Sequence, residues 1–202
     1  MKRILLYSNY SNHNKQVVDL TIKNHYEYSS KYGLDFIYTQ TEYTPYNNTE
    51  ELKALLQIYD AVITIGTDIL FTNFDKDIRD FIDDKYSIII QQERSGVGVN
   101  GDFIIFNKTS TIFEELDLIE QQKKYYWSTQ AELDSLSANL NMLILKPRTL
   151  QSINPTAYNG QEAKWKQGDF SVHCHRPSYA PKINDKVNDI TNFIRSHKDI
   201  VC

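Results

Sequence analysis

Short apolar runs alternate along the chain with longer segments in which apolar and polar residues are interleaved. FIIF (103–106) is apolar at every position and AVITI (61–65) at every position but Thr64, which is typical of buried strands. Segments such as 49–60 instead repeat apolar residues at helical spacing, which predicts amphipathic helices. The pattern predicts strands over 3–8, 34–40, 61–66, 86–92, 101–108, 142–146 and 169–175, and helices over 16–32, 49–60, 77–84, 111–124 and 131–140.

The alternation of strands and helices favours an α/β fold, with a mostly parallel sheet flanked by helices. The 202 residues suit one domain with a sizeable core, so we expect a single domain over 1–202. Ligands of such sheets lie at the carboxyl ends of the strands. Asp68 is the one charged residue in 61–73 and directly follows a predicted strand. Its position therefore suits a ligand site, although a strand-terminal aspartate that forms a turn is the simpler alternative.

Charge and composition narrow the functional classes. The net charge of -4 argues against a protein that binds nucleic acid or membranes with its whole surface. Residues 146–182 are the exception, because this segment contains six basic residues and only two acidic ones. The two cysteines have no metal-ligand spacing, and the first apolar run is too short for a signal peptide or a membrane span. We therefore expect a cytoplasmic protein with no membrane partner.

Six blocks of sequence together resemble a known enzyme family. They are NHYEYSSKYGLDFIY (24–38), ELKALLQIYDAVITIGTDILFTN (51–73), VNGDFIIFNKTS (99–110), STQAEL (128–133), AYNG (157–160) and WKQGDFSVHCH (165–175). Their order resembles that of the nucleotide-sugar glycosyltransferases of the GT-A fold, in particular the galactosyl/xylosyl/mannosyltransferases of the GMA12/MNN10 type. The resemblance covers roughly residues 3–176 and implies transfer of a sugar from a nucleotide-diphosphate donor to a hydroxyl.

The resemblance also implies a divalent cation, Mn²⁺ or Mg²⁺, held against the donor diphosphate. The family's DxD motif falls on Gly66-Thr67-Asp68, so Asp68 keeps the second carboxylate and a glycine replaces the first. The family's GDFxxH motif falls on residues 168–173, which makes His173 the second metal ligand. The family pattern around Asp68 also implies that Asn73 caps the turn beyond it. Because one acidic ligand is missing, we expect weaker metal dependence than in relatives with a complete motif.

Further site residues carry over from the same motif blocks. The implied catalytic residues are Asp68, Asp102 and Gln130, where Thr129 precedes Gln130 in place of the family's common aspartate. The basic residues beside GDFSVH would pair with an anionic ligand. The implied donor-binding residues are Ser8, Asn9, Tyr10, Lys53, Thr67, Asn100, Gly101, Lys166, Gly168, Asp169 and Arg176.

Three functions remain open at this point. The first is an active glycosyltransferase whose acceptor is a glycan, a protein, a lipid or a hydroxymethylated base of DNA in a bacterial virus. The second is a catalytically impaired GT-A-like module that binds a nucleotide or a glycan. The third is a nucleotidyltransferase, which ranks last because the loop after the first strand, SNYSNHNK (8–15), lacks glycine. A DNA acceptor would need basic residues beside aromatic ones, for which QQKKYYW (121–127) and KWK (164–166) are the candidates.

Overall fold

The computed structural model describes residues 2–10, 15–40, 49–93, 98–122, 129–153, 164–174 and 183–197. The strands in this part of the chain are β1 (Ile4–Tyr10), β2 (Asp35–Gln40), β3 (Ala61–Gly66), β4 (Ile69–Phe71), β5 (Ile88–Gln92), β6 (Val99–Asn107), β7 (Met142–Leu145), β8 (Ser152–Ile153) and β9 (Ser171–His173). The helices are α1 (Lys15–Tyr32), α2 (Thr49–Ile58), α3 (Ile112–Gln122), α4 (Thr129–Leu136) and α5 (Ile183–Ser196), with a 3-10 turn at Ile78–Phe81.

Six of these strands form one sheet in the order β2-β1-β3-β6-β5-β7. Strand β6 runs antiparallel to both of its neighbours, and the other five strands run in one direction. The expected mostly parallel α/β sheet is thus confirmed. In the β3–β6 pair, Ala61 lies opposite Asn107 and Ile65 lies opposite Phe103.

Apolar side chains cover both faces of this sheet, which explains the unbroken apolar runs in its strands. Along β1, Leu5 and Tyr7 enter one core cluster, with α2, α3 and α4. The alternate residues Ile4 and Leu6 enter a second cluster on the other face. Tyr28 and Phe71 stack in that second cluster at 3.8 Å between ring centroids.

A second, three-stranded sheet in the order β4-β9-β8 continues from the end of β3. It buries a third cluster against α5, in which Trp165 contacts Phe193 at 5.0 Å between ring centroids. Of these elements only β9 was predicted from the sequence, within the strand expected over 169–175, whereas β4, β8 and α5 were not. None of the described helices has the length and apolar character needed to cross a bilayer.

The predicted elements match the structure to within a few residues, with two differences. The helix expected over 77–84 is only a 3-10 turn, and the strand expected over 169–175 is confined to Ser171–His173. Gly33 ends α1 as predicted, because its φ of 62° lies in the left-handed region that glycine tolerates.

Candidate functional site

Asp68 lies in the short turn between β3 and β4, at the carboxyl end of the central sheet. Its side chain is buried, and its backbone carbonyl accepts a hydrogen bond of 2.8 Å from the amide of Cys174. Asn73 caps the chain beyond β4 as predicted: its Oδ1 accepts the amide N–H of Asp75, and its Nδ2 donates to the carbonyl of Gly168. Asp68 is thus tied through the backbone to the segment that contains the GDFSVH motif.

Three buried polar side chains of α1 hold the backbone of residues 67–71. Thr21 Oγ1 donates to the carbonyl of Thr67 at 2.7 Å. Asn24 accepts the amide N–H of Phe71 and donates to its carbonyl. His25 Nε2 lies 2.7 Å from the carbonyl of Ile69. Positions 21, 24 and 25 share one face of a helix, so a single helix face fixes the segment that presents Asp68.

His25 is a neutral, fully buried imidazole. Because the carbonyl of Ile69 can only accept, the ring proton must lie on Nε2. Nδ1 then accepts from the hydroxyl of Ser8 at 3.2 Å. Burial lowers the pKa of His25 to about 4, although the Ile69 hydrogen bond and the Asp68 charge act in the opposite direction. Ser8 was expected to contact the donor, but its hydroxyl is buried against this ring.

His173 faces Asp68 across the β4–β9 pair, in which Ile69 lies opposite His173. The imidazole Nε2 is 3.3 Å from Asp68 Oδ2, and both side chains are more than nine-tenths buried. The other ring nitrogen, Nδ1, is 3.7 Å from Oδ2 of Asp102, whose side chain is 40% exposed. The structure therefore brings three of the predicted site residues together, with the imidazole between two carboxylates.

Asp68 and His173 fit a shared divalent cation. Two ligand atoms 3.3 Å apart can each bond one ion at about 2 Å. In the described part of the chain, no group of three or more His, Cys, Asp and Glu residues is arranged to hold a metal. Magnesium is commonly bound by one or two protein carboxylates together with substrate phosphates, so a two-ligand protein site suits a cation completed by a diphosphate.

Asp169 of the same motif is held by neighbouring groups. Arg148 donates two hydrogen bonds to its carboxylate through NH2, at 2.7 and 2.9 Å, and a third through Nε. Ser152 and the amide of Lys166 donate to the same carboxylate. Gly168 completes this turn with a φ of 94°, which other residues rarely adopt. In the structure the carboxylate of Asp169 thus shapes the loop before His173, and its contact with a donor stays a prediction.

Arg148 is a site residue that the sequence did not single out. Its own φ is 69°, a conformation that is uncommon for any residue but glycine. Such backbone strain persists where the surroundings over-determine it, and the fork of hydrogen bonds to Asp169 does so here. No local pattern indicates this pair, because the two residues are 21 positions apart.

A buried amide network supports the predicted Asn100 position. Asn100 Oδ1 accepts the amide N–H of Asp102 and the side-chain amide of Gln151, while its Nδ2 donates to Glu93. Gln91 in turn bonds the backbone of Gln151. The remaining oxygen of the Gln151 side chain, Oε1, is buried without a hydrogen-bond partner among the described residues. Gly101, the next residue of β6, is also buried.

Asp134 of α4 fixes the start of β6. Its carboxylate accepts the amide N–H of Val99 at 2.7 Å and lies against Gly98, where an added Cβ would come within 2.5 Å. The residues that follow on β6 are Asn100, Gly101 and Asp102. The sequence did not indicate this positioning role.

Other predicted residues lie elsewhere or outside the described part of the chain. The ammonium of Lys53 is engaged by Glu50 and by Asp117 of α3, so the structure gives a donor contact no support. The side chains of Asn9, Tyr10 and Gln130, and all of Arg176 and His175, lie outside the described residues. Thr67 is buried beside Asp68, and Lys166 is exposed next to the Asp169 loop.

No protein-family model matches the sequence, and no curated protein matches it significantly. Solved structures do match the fold. A glycosyltransferase involved in the glycosylation of the major capsid of PBCV-1 superimposes with a TM-score of 0.72 at 14% identity, over 94% of this chain and 99% of that one. The chain has the GT-A fold.

Two further GT-A structures are similar to this chain. The glycosyltransferase GlyE of Streptococcus pneumoniae TIGR4 matches with a TM-score of 0.56 at 12% identity, over 100% of this chain and 66% of that one. A mutant of Drosophila β1,4-galactosyltransferase 7, solved with manganese, UDP-Gal and xylobiose, matches with a TM-score of 0.52 at 8% identity, over 94% and 79% of the two chains. The likeness confirms the GT-A fold expected from the sequence blocks, while the GMA12/MNN10-type branch stays a prediction.

Proposed function

We propose that the chain is a glycosyltransferase that moves a sugar from a nucleotide-diphosphate sugar to a hydroxyl acceptor. The observation that carries the proposal is the Asp68–His173 pair, which lies at the carboxyl end of β3 in a GT-A fold. Asp68 matches the second carboxylate of the family's DxD motif, and His173 matches the family's GDFxxH histidine. Two motif residues that are 105 positions apart in sequence are thus 3.3 Å apart in the structure.

The chemistry of the reaction explains why such a pair is needed. The leaving group is a diphosphate, whose growing negative charge must be neutralised. A divalent cation, Mn²⁺ or Mg²⁺, would supply that positive charge when bound. Asp68 and His173 would hold it, and α1 orients Asp68 through the backbone of residues 67–71. The manganese in the galactosyltransferase complex supports this choice of cofactor by analogy.

The absent carboxylate at Gly66 favours one alternative function. A GT-A module that binds a nucleotide or a glycan without catalysing transfer would retain the fold after losing an acidic metal ligand. An added Cβ at Gly66 would lie 3.1 Å from Asp68 Oδ1, so an acidic side chain at this position would share the space around Asp68. The alternative therefore predicts nucleotide binding without turnover.

The acceptor of the proposed transferase is a glycan or a modified base of DNA. The segment KWK does not support a DNA acceptor, because Trp165 is buried and its indole N–H donates to Thr72 at 2.9 Å. A buried indole cannot stack on an exposed base. The other candidate segment, 121–127, lies mostly outside the described residues, and the cytoplasmic location stays a prediction.

The deciding experiment measures the hydrolysis and transfer of a panel of UDP- and GDP-sugars with and without Mn²⁺. We expect turnover with at least one donor, and a loss of about 10²–10³-fold in kcat for Asp68→Asn and for His173→Ala. Asp84→Asn is the matched control, because Asp84 is an exposed aspartate paired with Lys2. Near-normal turnover in both site variants would refute the proposed site. Donor binding without turnover in the unmodified protein would favour the binding module.

A further inference from the structure

The position opposite Gly66 carries an acidic residue. Ile65 of β3 pairs with Phe103 of β6, where the regular register ends; its extension by one residue, next to an irregularity of β6 against β5, would place Gly66 opposite Asp102. An added Cβ at Gly66 would lie 3.6 Å from the backbone carbonyl of Asp102, which agrees with this placement. Directly opposed residues of an antiparallel pair project to the same face of the sheet. Asp102 thus projects from β6 to the face that a side chain at position 66 would occupy.

The carboxylate of Asp102 faces the ring of His173. Its Oδ2 is 3.7 Å from Nδ1, while Asp68 Oδ2 is 3.3 Å from Nε2 on the other side of the imidazole. Each carboxylate favours a proton on the ring nitrogen that it faces, so the nearer Asp68 holds the proton on Nε2 until a cation displaces it, and Asp102 then favours the proton on Nδ1. Nε2 then presents a lone pair toward the Asp68 carboxylate, and a cation between these two atoms would stabilise them.

We propose that Asp102 takes over the role of the carboxylate that the motif lacks at position 66, and that it does so through His173. In this role Asp102 is a positioning residue, which orients the imidazole so that Nε2 and Asp68 can hold the cation together. Carboxylates that orient metal-binding histidines in this way are common in metalloproteins. The inference rests on the proposed function, because it concerns the cation of the donor diphosphate.

The Asp102 side chain can be removed without cutting the backbone hydrogen bond at this position. Asp102 is 40% exposed, and the bond that fixes its backbone runs from its amide N–H to Asn100 Oδ1. Replacing the side chain leaves that bond in place. We therefore expect Asp102→Ala to fold with a melting temperature close to that of the unmodified protein.

The experiment measures the affinity for Mn²⁺ in the presence of UDP and, in parallel, of GDP, by electron paramagnetic resonance of free Mn²⁺. We expect Asp102→Ala to weaken Mn²⁺ binding by about 10- to 100-fold. The double variant Gly66→Asp/Asp102→Ala should recover much of the loss, because the carboxylate returns at the opposed position. Gly66 is not one of the positive-φ glycines, and its added Cβ would lie 3.1 Å from Asp68 Oδ1, so an aspartate there requires the Asp68 carboxylate to shift by a few tenths of an ångström. Asp84→Asn is again the control and should leave the affinity unchanged.

A second measurement separates positioning from general damage. Long-range ¹H–¹⁵N spectra report the tautomer of each histidine, and we expect His173 to carry its proton on Nδ1 in the unmodified protein when UDP and the diamagnetic cation Mg²⁺ are bound. Asp102→Ala should shift His173 toward the other tautomer. Unchanged Mn²⁺ affinity in Asp102→Ala, or an unchanged His173 tautomer, would overturn the inference.

Asp68→Asn distinguishes the failure of this inference from the failure of the proposed function. If Asp68→Asn loses Mn²⁺ binding while Asp102→Ala keeps it, the inference is wrong and the proposed cation site stands. The proposed cation site itself fails if the unmodified protein does not bind Mn²⁺ in the presence of UDP or of GDP, or if Asp68→Asn binds Mn²⁺ normally. The inference then fails with it.

Discussion

At the scale of single residues, His25 shows how a titratable group can be held neutral beside a charged site. Its ring is fully buried, with one nitrogen on the Ile69 carbonyl and the other on the Ser8 hydroxyl. Protonation would charge a ring that has no access to water, so burial lowers its pKa to about 4. In the unfolded chain the same ring would titrate at about 6.5.

This difference predicts a loss of stability in mild acid. Between about pH 6.5 and pH 4 the unfolded state binds a proton that the folded state refuses, so the free energy of unfolding falls as the pH falls. The full loss from this residue is about 3 kcal/mol, at about 1.4 kcal/mol per pH unit. Urea denaturation at pH 7, 5.5 and 4.5 measures it.

The variant His25→Gln isolates the contribution of His25 from that of the carboxylates. Glutamine can still donate to the Ile69 carbonyl, but it does not titrate. The variant should be less stable than the unmodified protein at pH 7 and should lose less stability between pH 7 and 4.5. Equal pH dependence in the two proteins would mean that His25 is not the group responsible.

At the scale of elements, α1 acts as the second partner of an edge strand. Among the described strands, β4 pairs with β9 alone. On the opposite edge of β4, Asn24 bonds both backbone groups of Phe71. Backbone groups at a buried sheet edge need partners, and a helix side chain supplies them here.

We therefore expect Asn24→Ala to leave two buried backbone groups of Phe71 unsatisfied. The cost should be about 2–6 kcal/mol in the free energy of unfolding, at about 1–3 kcal/mol for each group. Urea denaturation gives the total, and hydrogen exchange of the Phe71 amide shows where the loss occurs. Lys23→Ala is the control on the exposed side of the same helix, and it should change stability by no more than about 0.5 kcal/mol. A similar loss in both variants would contradict the role assigned to Asn24.

The long elements were predictable because each of them carries its own pattern. β3 is apolar over 61–65 except at Thr64, and the helix starting at Thr49 repeats apolar residues on one face. The short strands β4 and β8 have only three and two residues, so no periodicity can mark them. α5 was predictable as well, since Ile190, Phe193 and Ile194 follow helical spacing.

The candidate site was predictable where a residue belongs to a motif block and not where it depends on a distant partner. Asp68 and His173 were identified from their own surroundings in sequence. The fork between Arg148 and Asp169 and the approach of Asp102 to His173 depend on tertiary contacts between distant segments. Lys53 illustrates the converse, because its position suggested a donor contact while its ammonium pairs with Asp117 of α3.

At the scale of the whole molecule, charge is unevenly distributed along an acidic chain. The net charge is -4, yet residues 146–182 contain six basic residues and two acidic ones. Arg148 is already neutralised by Asp169. Lys166 is exposed and Lys164 is half-buried, beside the loop that leads to His173. These two lysines lie within a few residues of the proposed diphosphate site in sequence, and exposed charges act over about 8 Å at physiological salt.

We expect Lys164→Ala/Lys166→Ala to raise the KM for the donor by about 2- to 5-fold, with little change in kcat. The size follows from exposed charge pairs, each worth up to about 1 kcal/mol. Steady-state kinetics with the active donor measure it. Lys23→Ala/Lys31→Ala removes the same charge from α1 and serves as the control.

A polyanionic acceptor would give a different result in the same variant. Binding to duplex DNA that contains hydroxymethylcytosine would then weaken in Lys164→Ala/Lys166→Ala and would fall steeply with added salt. If both the donor KM and the DNA affinity are unchanged, neither lysine contributes to ligand binding, and both belong to the solvated surface.

The way α1 holds residues 67–71 bears on how far such a chain can diverge. Thr21, Asn24 and His25 all bond to backbone atoms of this segment, which every amino acid except proline provides in full. Substitutions at positions 69–71 can therefore accumulate as long as they remain apolar, without moving the carboxylate that follows β3. A similar backbone with a different sequence agrees with the TM-score of 0.72 at 14% identity between this chain and the PBCV-1 capsid glycosyltransferase. In such a lineage, the polar face of α1 should change more slowly than the segment it holds.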